Sequence, residues 1–224
     1  MIEFEGVGHR YGDRVVLSGI TLKLPERRVG FVGANGSGKS TLARTINGLV
    51  HPDTGRVLVD GLDPARDGRT VRRRVGFVFS NPDSQIVMPT AAEDVAFSLR
   101  RSGLSKEERR DRAVALLSEF GLGGHADHPA HQLSGGQKQL LALCSMLVLD
   151  PAVLVCDEPT TLLDLRHKRQ FAQRLEGLPQ QIVLVTHDLE LLAGFERVIV
   201  LDEGRVVADD EPGPAVRHYR KLLE

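Results

Sequence analysis

Apolar positions along the chain fall into short runs divided by glycine, proline and charge, and the period of those runs switches repeatedly between strand-like and helical from one end to the other. Residues 2–4 and 21–24 read as short strands, and Val29-Gly30-Phe31-Val32 is an unbroken apolar run suited to a strand buried on both faces. A glycine-rich loop follows. Residues 40–49 then take a helical period, 56–60 read as a strand before a turn at Gly61, and 75–79 form another apolar strand. The middle is helical, with patterns over 91–101, 105–120 and 134–149. The second opens on a Ser105/Glu108 capping box and the third on Ser134 and Gln137. Strands resume after Pro151 at 153–156 and 182–186, separated by a helix over 166–175. Residues 198–201 and 205–208 flank a Glu203-Gly204 turn, and 214–223 read as a short terminal helix. The alternation predicts an α/β core with a helical lobe inserted over about 86–150.

A chain of 224 residues with 41% hydrophobic content supports one substantial core, or a core and a lobe. No apolar run reaches the roughly 18 residues that span a bilayer, and Met1-Ile2-Glu3-Phe4-Glu5 is acidic and strand-like, unlike a signal peptide. Direct membrane insertion is therefore not expected, and any membrane contact must run through a partner. A net charge of -1 argues against nucleic acid as a partner, and Arg72-Arg73-Arg74 and Arg100-Arg101 read as solvated faces. The two cysteines, Cys144 and Cys156, lie in apolar segments and read as buried hydrophobes of a reducing cytoplasm.

Gly33-Ala34-Asn35-Gly36-Ser37-Gly38-Lys39-Ser40 fits G-x-x-x-x-G-K-S/T between a buried strand and a helix, the context that a phosphate loop requires. The glycines let backbone N–H groups wrap phosphates, Lys39 reaches the β- and γ-phosphates, and the Ser40 hydroxyl is offered to Mg²⁺. Thr41 is placed to assist at the α-phosphate. Val153 to Asp157-Glu158 is an apolar strand ending in adjacent carboxylates, of which Asp157 would serve the metal and Glu158 the attacking water. His187 follows the strand over 182–186, where it either meets the γ-phosphate or caps the strand. Tyr11 either stacks on a purine or packs half-buried. His125, His128 and His131 read as loop residues, since their spacing does not demonstrate a metal geometry.

Leu133-Ser134-Gly135-Gly136-Gln137 puts two glycines at the start of an apolar helix, at a cost of roughly 1 kcal/mol each against alanine. Ser134 and Gln137 form a capping box, and the bare helix end is suited to an anion. Together with the phosphate loop and the carboxylate strand, this run resembles the ATP-binding cassette ATPase family over essentially the whole chain. That resemblance implies an α/β fold, a P-loop NTPase (RecA-like) core with an N-terminal antiparallel β subdomain and an inserted α-helical subdomain, formed by a single ATPase domain over 1–224. It also implies ATP and Mg²⁺ as cofactors and head-to-tail pairing with a second ATPase subunit, a homodimer being favoured because both half-sites are in one chain and pairing with a related ATPase being the alternative. In such a pair Ser134, Gly135, Gly136 and Gln137 face the nucleotide held by the partner's Gly33–Thr41 loop. Tyr11 then corresponds to the adenine-stacking position, residues 161–164 to the loop at the dimer interface, and His187 to the γ-phosphate switch.

One position departs from the family. Glutamine usually follows the strand at 75–79, where it touches Mg²⁺ and senses the transmembrane partner; this chain has Ser80, a shorter donor expected to reach the metal through water. Weakened coupling with retained nucleotide binding is the expectation. The run Ser80-Asn81-Pro82-Asp83-Ser84-Gln85 is similar to the N-P-D-x-Q segment of energy-coupling-factor importers of vitamins and transition metals. Within that group, the residues from Asp157 to Leu165 and the short C-terminus are most similar to biotin-transporter ATPase subunits. The resemblance implies transmembrane coupling and substrate-binding subunits as partners and a place on the cytoplasmic face of the cell membrane. DNA- or ribosome-associated cassettes are the competing class, disfavoured by the lack of coiled coils, of a second cassette and of a basic surface. A non-hydrolysing nucleotide sensor is a third reading, disfavoured by intact Lys39, Asp157, Glu158 and His187.

Overall fold

The computed structural model describes residues 1–224 and divides them into two compact units. The first comprises Met1–Val75, Ala152–Glu158 and Gln180–Glu224. It holds β1 (Ile2–Tyr11), β2 (Arg14–Leu24), β3 (Arg28–Val32), α1 (Lys39–Ile46), β4 (Thr54–Val59) and α2 (Gly68–Arg74). Later segments add β6 (Val153–Asp157), β7 (Gln181–Val185), β8 (Arg197–Asp202), β9 (Arg205–Asp210) and α7 (Pro212–Leu222). β5 (Val75–Val78) begins on the last residue of the first unit's opening segment, and its other residues belong to the second unit. The second unit, Gly76–Pro151 with Pro159–Pro179, is helical: α3 (Ala91–Ser98), α4 (Lys106–Glu119), α5 (Gly135–Leu147) and α6 (Leu165–Glu176). The unit thus begins before residue 86 and also takes in α6, whose Phe171 and Leu175 are buried.

Two sheets build the first unit. β2-β1-β4 is antiparallel, with Ile2 opposite both Leu24 and Val59. β1 runs to Tyr11, well past residue 4, because Gly6 and Gly8 interrupt the apolar alternation without ending the strand; register shifts lie between Phe4 and Val7 and between Val7 and His9. The second sheet runs β6-β7-β3-β8-β9 through this unit, parallel except at the β9 edge. Val29, Phe31, Val155, Val183 and Ile199 are fully buried, as continuous apolar strands in a parallel sheet require. The carboxyl ends of β3, β6 and β7 therefore lie side by side, the place where open α/β sheets hold ligands.

α2 has no counterpart in the apolar pattern, since Val71 is its one buried residue; Arg72, Arg73 and Arg74 lie in its last turn, where cations favour the helix dipole. In the second unit the capping boxes at Ser105/Glu108 and Ser134/Gln137 both form, and Thr90/Glu93 makes a third at α3. Asp94 is buried and accepts from the Val87 and Met88 N–H groups and from Ser145 Oγ, which fixes α3 against α5. Both cysteines are free and buried, and burial pushes their thiols up. No helix is long and apolar enough to cross a membrane.

Candidate functional site

The loop after β3 is shaped by close backbone approach. A Cβ at Gly33 would lie 2.1 Å from the Leu201 carbonyl oxygen, and one at Gly38 would lie 2.6 Å from that of Val16, so no larger residue fits either place. Gly38 occupies the N-cap of α1 in a left-handed conformation without a side-chain cap, which leaves the helix end to an outside acceptor. Lys39 Nζ is folded back onto the Gly33 and Ala34 carbonyls, 2.8 Å from each, and desolvation by burial lowers its pKa. Ser37 Oγ is buried without a hydrogen-bond partner, the condition of a group waiting for a ligand. A cleft of about 360 Å³ opens over this loop, lined by Tyr11, Arg14, Asn35, Gly36, Lys39, Ser40, Thr41 and Glu158. Its size and its lining of one aromatic, two cations and backbone donors fit a nucleoside triphosphate.

Two short contacts bring distant segments together here. Ser40 Oγ donates to Asp157 Oδ1 at 2.6 Å, and the other carboxylate oxygen takes Arg44 Nη2 at 3.1 Å. Asp157 is 2% exposed, so Ser40 and Arg44 supply the partners that a buried carboxylate needs. Two hard oxygen ligands side by side fit a magnesium ion. Next to it, Glu158 adopts a positive φ of 52°, uncommon for a residue with a side chain, and its N–H is held by the Val185 carbonyl at 2.9 Å. Its Oε2 lies 2.6 Å from His187 Nδ1, which must carry the proton because an ionised carboxylate only accepts. Tyr11 is half exposed at the end of β1, its ring meeting His9 edge-on at 4.7 Å. Tyr11, the residues of the 33–41 loop, Asp157, Glu158 and His187 thus share one unit.

Ser80 and Ser134 to Gln137 belong to the other unit. Ser134 Oγ accepts from the Gln137 N–H at 3.3 Å, and Gln137 Oε1 accepts from the Ser134 N–H at 2.9 Å. The hydroxyl proton of Ser134 stays available. The two glycines differ sharply. A Cβ at Gly136 would lie 2.2 Å from the His167 ring, whereas one at Gly135 would meet only the Leu162 carbonyl at 3.8 Å. Gly136 is therefore demanded by packing, and Gly135 is bare toward the outside. Ser80, expected to reach the metal through water, is half-buried just past β5. Its neighbour Gln85 is committed elsewhere: Oε1 accepts from the Phe79 N–H at 3.2 Å and Nε2 donates to the Ala142 carbonyl at 3.3 Å. Gln139 Nε2 donates to the Phe79 carbonyl at 3.0 Å and Lys138 pairs with Asp83 at 2.7 Å, so the 79–85 segment is strapped to α5.

Arg14 and Arg44 escape the sequence reading. Neither belongs to a motif; Arg14 enters the cleft from β2, and Arg44 is found only as the last-turn cation of a helix whose start carries the phosphate loop.

The sequence pattern of the ABC transporter family matches residues 17–161 of this chain. The biotin transport ATP-binding protein of Rhizobium etli is 48% identical over 221 residues, 99% of this chain and 98% of that one. An energy-coupling factor transporter ATP-binding protein of Symbiobacterium thermophilum is 40% identical, over 90% of this chain and 76% of its own. Among solved structures, a dimeric ATP-binding cassette in a post-hydrolysis state bound to ADP and phosphate aligns with a TM-score of 0.84 at 31% identity, covering 95% of this chain and 99% of that one. A loop and helix end made for a nucleotide, a carboxylate strand beside them and these likenesses have one reading: the chain belongs to the ABC transporter family and is an ATP-hydrolysing ATP-binding cassette.

Proposed function

We propose that this chain energises an energy-coupling-factor-type importer, binding Mg²⁺-ATP and pairing with a second copy at the cytoplasmic face of the cell membrane, beneath transmembrane coupling and substrate-binding subunits. The observation that carries the reading is that Lys39, Ser40 and Glu158 line one cleft, with Ser40 bonded to Asp157 and Glu158 to His187 behind them. The 33–41 loop and Lys39 bind the phosphates, and Tyr11 takes the adenine. Ser40 and Asp157 would hold Mg²⁺, which would neutralise phosphate charge. Glu158 orients the water that attacks the γ-phosphorus as the bond to the bridging oxygen of ADP breaks, and His187 holds that carboxylate in place before turning to the γ-phosphate. The exposed Gly135 and the free Ser134 hydroxyl proton present the helix end of one copy to the γ-phosphate held by the other.

Biotin is the proposed cargo, supported by the 48% identity to the Rhizobium etli relative; a transition metal is the alternative. Uptake of labelled biotin, against labelled cobalt or nickel, by cells carrying the assembled transporter separates the two. The catalytic reading is tested by Glu158→Gln, which is expected to lower turnover by roughly 10²–10⁴-fold, keep ATP affinity and trap an ATP-bound dimer. Full activity of that variant would sink it.

A further inference from the structure

The loop between α4 and α5 contains a directed chain of hydrogen bonds that the proposed chemistry does not use. Gln137 Oε1 is occupied by the Ser134 N–H, so the carboxamide can be oriented only one way, and its Nε2 faces His125 Nε2 at 3.0 Å. An amide NH₂ only donates, so His125 Nε2 must present a lone pair and its ring proton sits on Nδ1. That Nδ1 lies 2.8 Å from His128 Nδ1, which must then accept and carry its own proton on Nε2. Both imidazoles are neutral in this arrangement. The backbone of the same loop is bonded to the start of α3: the Ala92 N–H donates to the Ala126 carbonyl and the Ala130 N–H to the Pro89 carbonyl, each at 2.8 Å, and Thr90 bridges to Pro129.

We infer that His125 is a positioning residue: as its Nδ1–H tautomer it holds Gln137, and through Gln137 the Ser134 N–H and the first turn of α5, in register with the start of α3. The consequence for hydrolysis rests on the proposed function, in which that turn meets a partner's nucleotide; the bond itself does not. His128 fixes the tautomer by accepting from Nδ1, so the carboxamide is held by an acceptor whose partner is also held.

Long-range ¹H–¹⁵N correlation on the full chain reads both tautomers directly: Nδ1–H for His125 and Nε2–H for His128. His125→Gln restores an acceptor near the position of Nε2 and should keep turnover within about twofold, whereas His125→Lys, a pure donor, and His125→Ala should each lower kcat about tenfold with ATP affinity of the monomer unchanged. An Nε2–H tautomer at His125 would overturn the assignment, as would equal losses in the Gln and Ala variants. If the wild-type chain hydrolysed no ATP, the functional reading would fail while the tautomers still decided the bond.

Discussion

The cleft over the 33–41 loop and the start of α5 are the two places proposed to meet phosphate, yet they are assembled in opposite ways. In the cleft, Ser40 meets Asp157 across 117 positions of sequence and Glu158 meets His187 across 29. At the α5 end, Ser134 and Gln137 satisfy each other three positions apart, and Gln137 reaches on to His125 across only 12. The first site therefore depends on the sheet that aligns the ends of β3, β6 and β7. The second depends on local capping, and its glycines divide the labour between packing, at Gly136, and outward access, at Gly135.

The sharpest way to separate the two regions is to disable each alone. Lys39→Ala should weaken ATP binding by the monomer more than about 100-fold by calorimetry, since it removes a desolvated cation from the phosphates, while amide exchange in α5 stays as in the wild type. An unchanged Kd would break the comparison. Gly135→Ala should do the reverse, lowering turnover at least about tenfold with monomer affinity intact and stability unchanged or raised by up to about 1 kcal/mol. Gly136→Ala drives a methyl into the His167 ring and should cost about 1–3 kcal/mol in denaturant unfolding, a loss its neighbour does not share. Equal stabilities for the two alanine variants would remove the distinction.

Smaller effects sharpen the picture. Ser80→Gln should raise ATPase activity of the assembled transporter a few-fold, by restoring an amide at the position where the family has one; an unchanged rate counts against weakened coupling. At α6, Asp164 caps the helix by accepting from the His167 N–H at 2.9 Å and from its ring Nδ1 at 2.8 Å, bonds that hold its carboxyl below the ordinary aspartate range. A carboxylate depressed in this way adds stability above its unfolded value and loses it as pH falls through the folded one. Acid unfolding of Asp164→Asn should accordingly show a smaller loss below about pH 4 than the wild type, with little difference at neutral pH.

The phosphate loop was legible in the sequence because its residue types encode backbone geometry: nothing but glycine fits at Gly33 and Gly38, and the motif records that necessity. The capping boxes at Ser105 and Ser134 were legible for a similar reason, since donor and acceptor lie within one turn. Less visible were the lengths of β1 and β2, where glycines break the alternation that marks a strand, and α2, which buries too little to leave a period. Gln85 was the least legible of the polar residues. Its bonds to Phe79 and Ala142 commit it to the fold, and Ala142 lies 57 positions away.

What the sequence determined by itself is therefore local: which segments become strands or helices, where helix ends are capped, and which loop can wrap a phosphate. Only the tertiary structure decided that Arg44 shares Asp157 with Ser40, that His187 holds a strained Glu158, and that Gly136 lies under His167 while Gly135 lies open. These contacts join residues whose separation along the chain carries no period or spacing, and they arise when strand ends are aligned or helices pack, so no window of sequence contains them.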